Sequence, residues 1–116
     1  FAESFPRTIK AGPEKTEILG LGTVCVHPDH KGKGLGAQLV QACFNRVDNG
    51  EFPLSLFQTG VPEFYQKLNC KIIKNKIINS LAKDPGANPF WDPYVMIYPR
   101  EFIGFQFEID LLGKGY

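Results

Sequence analysis

The residues best equipped for chemistry lie in one stretch, HPDHKGKGLG, between a β-branched run and an amphipathic segment. It carries Lys31, Gly32, Lys33, Gly34 and Gly36, and it opens directly into the helical pattern. A helix start offers unpaired backbone N–H groups and a partial positive charge. Glycines remove the Cβ atoms that would obstruct an approaching phosphate, and lysines add mobile positive charge. The combination predicts an anion cradle for a phosphate or pyrophosphate. A P-loop would need G-x-x-x-x-G-K-[ST], which this sequence lacks. Gly32, Gly34 and Ala37 spell G-x-G-x-x-A, but HPDHK separates them from the strand, unlike the tight turn of a dinucleotide site. The competing reading is a solvated basic loop. His27 and His30 flank Pro28 and Asp29, and no third ligand at metal spacing joins them, so no metal is expected.

The elements that must hold this loop follow from periodicity. Thr16 to Val26 reads as a strand, with Gly20 and Gly22 marking a bulge or a close approach to the backbone. Leu35, Leu39, Val40, Cys43, Phe44 and Val47 form one face of an amphipathic helix, with Gly50 as its terminator. Residues 53–57 read as a second strand. Val61, Phe64, Tyr65 and Leu68 fall at helical spacing, with Thr59 or Gly60 as cap and Pro62 in the first turn. Residues 71–78 predict a strand or bent strand, 84–93 a loop, 94–98 a compact strand and 102–112 an extended segment. Residues 1–16, broken by Pro6, Gly12 and Pro13, predict extended or loop structure. This order predicts an α/β or α+β fold.

Composition bounds the rest. The chain has 116 residues, 43% of them hydrophobic, which suffices for one core and argues against two domains. A formal net charge of +1 argues against general nucleic-acid binding. No apolar run approaches a membrane span, so no membrane partner is expected. Cys25, Cys43 and Cys70 are odd in number and widely spaced, which excludes a disulfide framework. Buried thiols in a reducing compartment, the cytoplasm, are expected.

The stretch VCVHPDHKGKGLGAQLV (24–40) resembles the acetyl-coenzyme A signature of the GNAT superfamily of N-acetyltransferases. In that signature a strand ending V-x-V-x-P leads through [QR]-x-x-G-x-[GA] into a helix. Lys31 stands at the Gln/Arg position, and Gly34 and Gly36 at the two small positions. A second segment, around 57–70, resembles the family's next signature through Phe64, Tyr65, Lys67 and Leu68. There Asn69 replaces the usual Gly, Cys70 the usual aromatic, and Gln58 takes a frequent Asn position.

The resemblance implies the GNAT acyl-coenzyme A N-acyltransferase fold, a mixed, mostly antiparallel sheet with flanking helices. It implies acetyl-coenzyme A as co-substrate and a primary amine of a small molecule or peptide as acceptor. Val24, Cys25 and Val26 would pair with pantetheine, and Gly20 and Gly22 would help their strand splay from 53–57. Lys31, Gly32, Lys33, Gly34, Leu35, Gly36 and Ala37 would hold the pyrophosphate, with Gln58 and Tyr65 completing the cofactor site. A neutral amine would attack the acetyl carbonyl directly, a strand N–H would polarise it, and Tyr65 would protonate the leaving thiolate. The alternative is a non-catalytic GNAT-like module that binds acetyl-coenzyme A. No general base stands out: Glu17 lies upstream of the splay, and Asp29 lies in the loop.

The tail, YVMIYP and then IDLLGKGY, resembles the end of the aminoglycoside 2′-N-acetyltransferases, though Gly22 replaces that group's acidic residue and the substrate is not carried over. Glu108 and Asp110 are candidates to attract a cationic amine, with Trp91 and Tyr94 as walls; the competing reading is a solvated strand face. Residues 1–116 are expected to form one domain, with a cofactor unit at 16–48 and the second signature and closing strands at 53–112. The family places several strands and helices before its cofactor strand. The chain is therefore expected to be the C-terminal portion of a GNAT domain, associating with an N-terminal segment or with a second copy.

Overall fold

The computed structural model describes residues 2–24, 34–103 and 105–116. It opens with a hairpin. Strand β1 (Ala2–Ala11) turns at Gly12, whose φ of 63° lies in the left-handed region, and returns as β2 (Glu14–Val24). Helix α1 (Leu35–Asp48), strand β3 (Ser55–Thr59) and the short helix α2 (Pro62–Gln66) follow. The chain continues through β4 (Lys71–Ile73), β5 (Ile77–Ile78), β6 (Tyr94–Tyr98) and β7 (Ile109–Asp110).

The strands form one sheet in the order β4-β6-β3-β2-β1-β7-β5. Only β2–β3 and β5–β7 pair in parallel; β1–β2, β1–β7, β3–β6 and β4–β6 are antiparallel. This is the mixed, mostly antiparallel sheet with flanking helices expected from the sequence.

Period-two alternation splits the core across the sheet. Leu19 and Leu21 of β2, Phe57 of β3 and Met96 and Tyr98 of β6 face the helices, against Val40, Cys43, Phe44 and Val47 of α1 and Tyr65 of α2. Those four α1 residues belong to the stripe expected from the sequence. Ile9, Ile18, Leu56, Val95 and Ile97 face the other way, toward Leu54, Ile77, Phe90, Ile109 and Leu111.

The sheet must curl. β4 and β5 lie on opposite edges, yet only residues 74–76 separate them in sequence. From Ile73 to Ile77 an extended chain reaches at most ~14 Å, whereas a flat sheet of this order would hold its edges ~29 Å apart. The edges therefore bend toward each other on the face away from α1, around the second apolar cluster.

Two stretches differ from the sequence expectation. Residues 2–11, expected as extended or loop, form a full strand because the Gly12 turn folds them onto β2. Pro6 is tolerated there, since β1 pairs with β7 only at Lys10 and Ala11 and its remaining outer edge needs no N–H. Among the described residues of 102–112, Ile109–Asp110 alone is strand; Phe102 and Phe105 instead turn onto the second cluster.

Gly20 has a packing reason to be glycine. A Cβ there would collide with the ring of Phe5, which meets Tyr116 edge-on at 5.2 Å. Gly20→Ala must displace that ring, and overpacking of this kind costs ~1–3 kcal/mol. Urea unfolding should show that loss with an unchanged m-value. A cost below ~0.5 kcal/mol would mean that the ring yields freely.

Candidate active site

The site begins where two strands part. β2 and β3 pair only at Leu19 with Ser55 and at Gly20 with Leu56. Beyond that point β2 keeps β1 on one side, through Leu21 with Ser4 and Val24 with Ala2. β3 meanwhile continues against β6, with Gln58 opposite Val95. Among the described residues, the β3-facing edge of 21–24 thus has no strand partner. Unpaired backbone groups at such an edge are ready to bind an extended, amide-bearing chain.

Helix α1 opens just after this strand. Gly34 caps it in a left-handed conformation (φ 75°, ψ 8°), which glycine adopts without a Cβ penalty. The first α-helical bond runs from the Gln38 N–H to the Gly34 carbonyl at 3.1 Å. The N–H groups of Leu35, Gly36 and Ala37 precede it and have no intrahelical acceptor. Among the described residues no side chain caps them, and no acidic residue occupies the first turn.

Tyr65 stands on the helix-bearing face. Val61 N–H donates to Thr59 Oγ1 at 3.0 Å, tightening the turn from β3 into α2. Asn69, in the left-handed region at φ 70°, follows the helix as its residue type allows. Tyr65 packs on Phe57 at 4.7 Å and on Phe64 at 4.9 Å between ring centres. Burial, with smaller contributions from Cys70, Asp92 and Cys43, pushes its phenol up to about 12. The neighbouring Cys70 thiol is likewise pushed up to about 12 by burial, against the opposing pull of Arg100.

Gln58 is the hub of the opposite face. Its Oε1 accepts from the N–H groups of Trp91 and Asp92, at 2.9 and 2.7 Å. Its Nε2 donates to the Tyr116 carbonyl at 2.8 Å. Tyr116 is held further by its hydroxyl, which donates to the Leu56 carbonyl at 2.8 Å. Phe5 and Phe90 meet its ring edge-on and the Arg7 guanidinium lies 5.1 Å from the ring centre. These residues enclose a cavity of about 170 Å³ lined by Leu21, Gly22, Gln58, Trp91, Asp92 and Tyr116. Glu3 lies over its floor: a Cβ built on Gly22 would fall 2.6 Å from Glu3 Oε1.

Of the residues expected at the site, Val24 ends β2, Gly34 caps α1, and Leu35, Gly36 and Ala37 form its first turn, while Gln58 lies in β3 and Tyr65 in α2, on opposite faces of the sheet. Cys25, Val26, Lys31, Gly32 and Lys33 lie outside the described residues, as do His27, Asp29 and His30. Trp91 lines the cavity, and Tyr94 is not among its lining residues. Glu108 and Asp110 lie elsewhere. Asp110 pairs with Lys10, at the far end of β1 from Glu3, ~23 Å along the strand. Its carboxylate accepts from the N–H groups of Ser80 and Leu112, a structural use. Among the described residues no three His, Cys, Asp or Glu side chains are grouped to hold a metal, and no helix is long and apolar enough to cross a membrane.

Two lining residues, Asp92 and Tyr116, and the neighbouring Glu3 carried no sequence signal strong enough to single out. Glu3 comes beside Gly22 through the β1–β2 hairpin, at the register shift between Ala2 and Ser4. Asp92 and Tyr116 are held there by Gln58, 34 and 58 residues away, and Tyr116 also by the Leu56 carbonyl.

Comparison with known proteins agrees with this geometry. The family described as "Acetyltransferase (GNAT) domain" matches residues 6–69, more than half of the chain. Among curated proteins nothing matches. A solved structure, the GCN5-related N-acetyltransferase from Kribbella flavida, shares the fold at 20% identity with a TM-score of 0.53. The likeness covers 61% of this chain and 19% of that one, so it spans about a fifth of that protein. By its family match, its parted parallel strands and its glycine-capped helix, the chain belongs to the GNAT acetyltransferase family.

Proposed function

We propose that the chain binds acetyl-coenzyme A and transfers its acetyl group to a primary amine of a small molecule or peptide. The observation that carries this reading is the end of β2–β3 pairing at Gly20 and Leu56, ahead of the glycine-capped start of α1. A parted strand edge suits the amides of pantetheine, and a helix start suits a pyrophosphate. Val24, Cys25 and Val26 would take the first. Lys31, Gly32, Lys33, Gly34, Leu35, Gly36 and Ala37 would take the second. Gln58 spends its amide on its own chain and acts through the loop that it holds.

In the reaction, the lone pair of a neutral amine attacks the acetyl carbonyl. The C–S bond breaks, the thiolate takes the Tyr65 proton, and the amine loses its own proton to a carboxylate or water. The resemblance of the tail to aminoglycoside acetyltransferases does not name the acceptor. The buried free thiols Cys43 and Cys70 are in keeping with a reducing cytoplasm.

Isothermal titration of the full-length protein with acetyl-coenzyme A is the test, with micromolar, one-to-one binding expected. Absence of binding overturns the reading. Binding without turnover of any amine selects the non-catalytic module instead.

A further inference from the structure

The cavity on the face away from α1 has a composition that the cofactor does not need. It is small, about 170 Å³, and Asp92 is the one ionisable carboxylate among the residues that line it. Beside that carboxylate stands Trp91, 72% exposed, whose indole face is the best aromatic partner for a cation. Glu3, over the Gly22 floor, adds a second negative charge. Arg7, packed on the Tyr116 ring, is engaged with its own chain: its Nη2 donates to the carbonyls of Leu111 and Lys114, at 3.3 and 2.7 Å.

The placement of Asp92 does not come from its own strand. Residues 84–93 precede β6 without regular structure. Besides the burial of Phe90 in the second apolar cluster, the side-chain oxygen of Gln58, bonded to two consecutive backbone N–H groups, ties this loop to the parted strands. The same amide fixes Tyr116, the opposite wall. Removing it would leave two N–H groups and a carbonyl without partners, and the loop would lose its register.

We propose that this cavity selects a cationic acceptor, a small primary ammonium held by the Asp92 carboxylate and the Trp91 ring, and that Gln58 is the positioning residue that aims Asp92. This rests on the transferase reading, and it names the substrate class of that site.

The test is equilibrium binding, which does not depend on turnover. Benzylamine and its neutral isostere benzyl alcohol are titrated into the full-length protein, with and without saturating coenzyme A, and followed by backbone amide NMR. The native protein should bind the amine at least 10-fold more tightly than the alcohol, with shifts at Gly22, Trp91 and Asp92. Asp92→Asn should abolish that preference while alcohol affinity and coenzyme A affinity stay within about 2-fold. Gln58→Leu should abolish it too, although Asp92 is retained, in a protein whose spectrum elsewhere is unchanged. If Gln58→Leu does not fold, Asp92→Asn alone decides the charge assignment. An equal preference in the native and Asp92→Asn proteins overturns the proposal, as does no preference in either. Failure to bind coenzyme A counts against the transferase reading and leaves the amine preference to be judged on its own.

Discussion

Replacing Tyr65 by Phe is expected to lower kcat for acetyl transfer about 100-fold, the usual scale of a lost general acid. The hydroxyl is the only atom removed. No hydrogen bond is among the causes that shift its phenol, so nothing in the described core is left unpaired by its loss. The ring contacts with Phe57 and Phe64 survive in Phe. Stability should therefore change by less than ~0.5 kcal/mol.

A phenol raised to about 12 is matched by the Cys70 thiol buried beside it, pushed to about the same value. A coenzyme thiolate expelled into the same surroundings would be raised by the same desolvation. Since the phenol is raised, it keeps its proton through neutral and mildly alkaline pH. The native rate should show no decline from Tyr65 ionisation until pH nears 12. The measurement is kcat against pH for both proteins, with thermal melts as the control. Native-like kcat in Tyr65→Phe excludes the acid role.

The largest expected effect on stability is at Phe44. Phe44→Ala should cost ~3–5 kcal/mol, a large part of the ~5–15 kcal/mol available to a domain. Phe44 is fully buried and stacks on Tyr98 at 4.1 Å with the rings 8° from parallel. It also meets Phe57 at 6.0 Å, and Phe57 carries Tyr65. Tyr98 in turn donates to Asp48 at 2.7 Å, fastening the end of α1 to β6. Truncation would open a cavity between helix and sheet and loosen both attachments together. Urea unfolding should show the midpoint falling sharply, with Phe44→Leu losing much less because it refills most of the volume. A cost under ~1.5 kcal/mol in Phe44→Ala would mean that the helix collapses onto the sheet without Phe44.

What was legible in the sequence is what neighbouring residues decide. The stripe of α1 follows from the 3.6-residue period, and β6 (Tyr94–Tyr98) matches the compact strand read at 94–98. The cofactor motif was legible because a strand end, a glycine loop and a helix start are contiguous. Asn69 after α2 was readable for the same reason: its conformation is a local choice. The strand pattern of 71–78 was also readable, but not that its halves would join opposite edges of the sheet.

Tertiary structure decided everything that depends on which strand meets which. A period of two says that a strand alternates, not who its partner is or where pairing stops. The halt of β2–β3 pairing after Gly20 makes the site, and it is a fact of register. The same holds for the acidic groups. Glu108 and Asp110 were plausible by charge alone, but pairing with Lys10 carries Asp110 to the wrong end of β1. Asp92 and Tyr116 reach the cavity because one glutamine bridges segments distant in sequence. By itself the sequence carried the half of the proposed site that a local motif can build, the expected cradle for an anion. Long-range packing alone determined the other half, because groups brought together by register and by a curled sheet leave no trace in the order of residues along the chain.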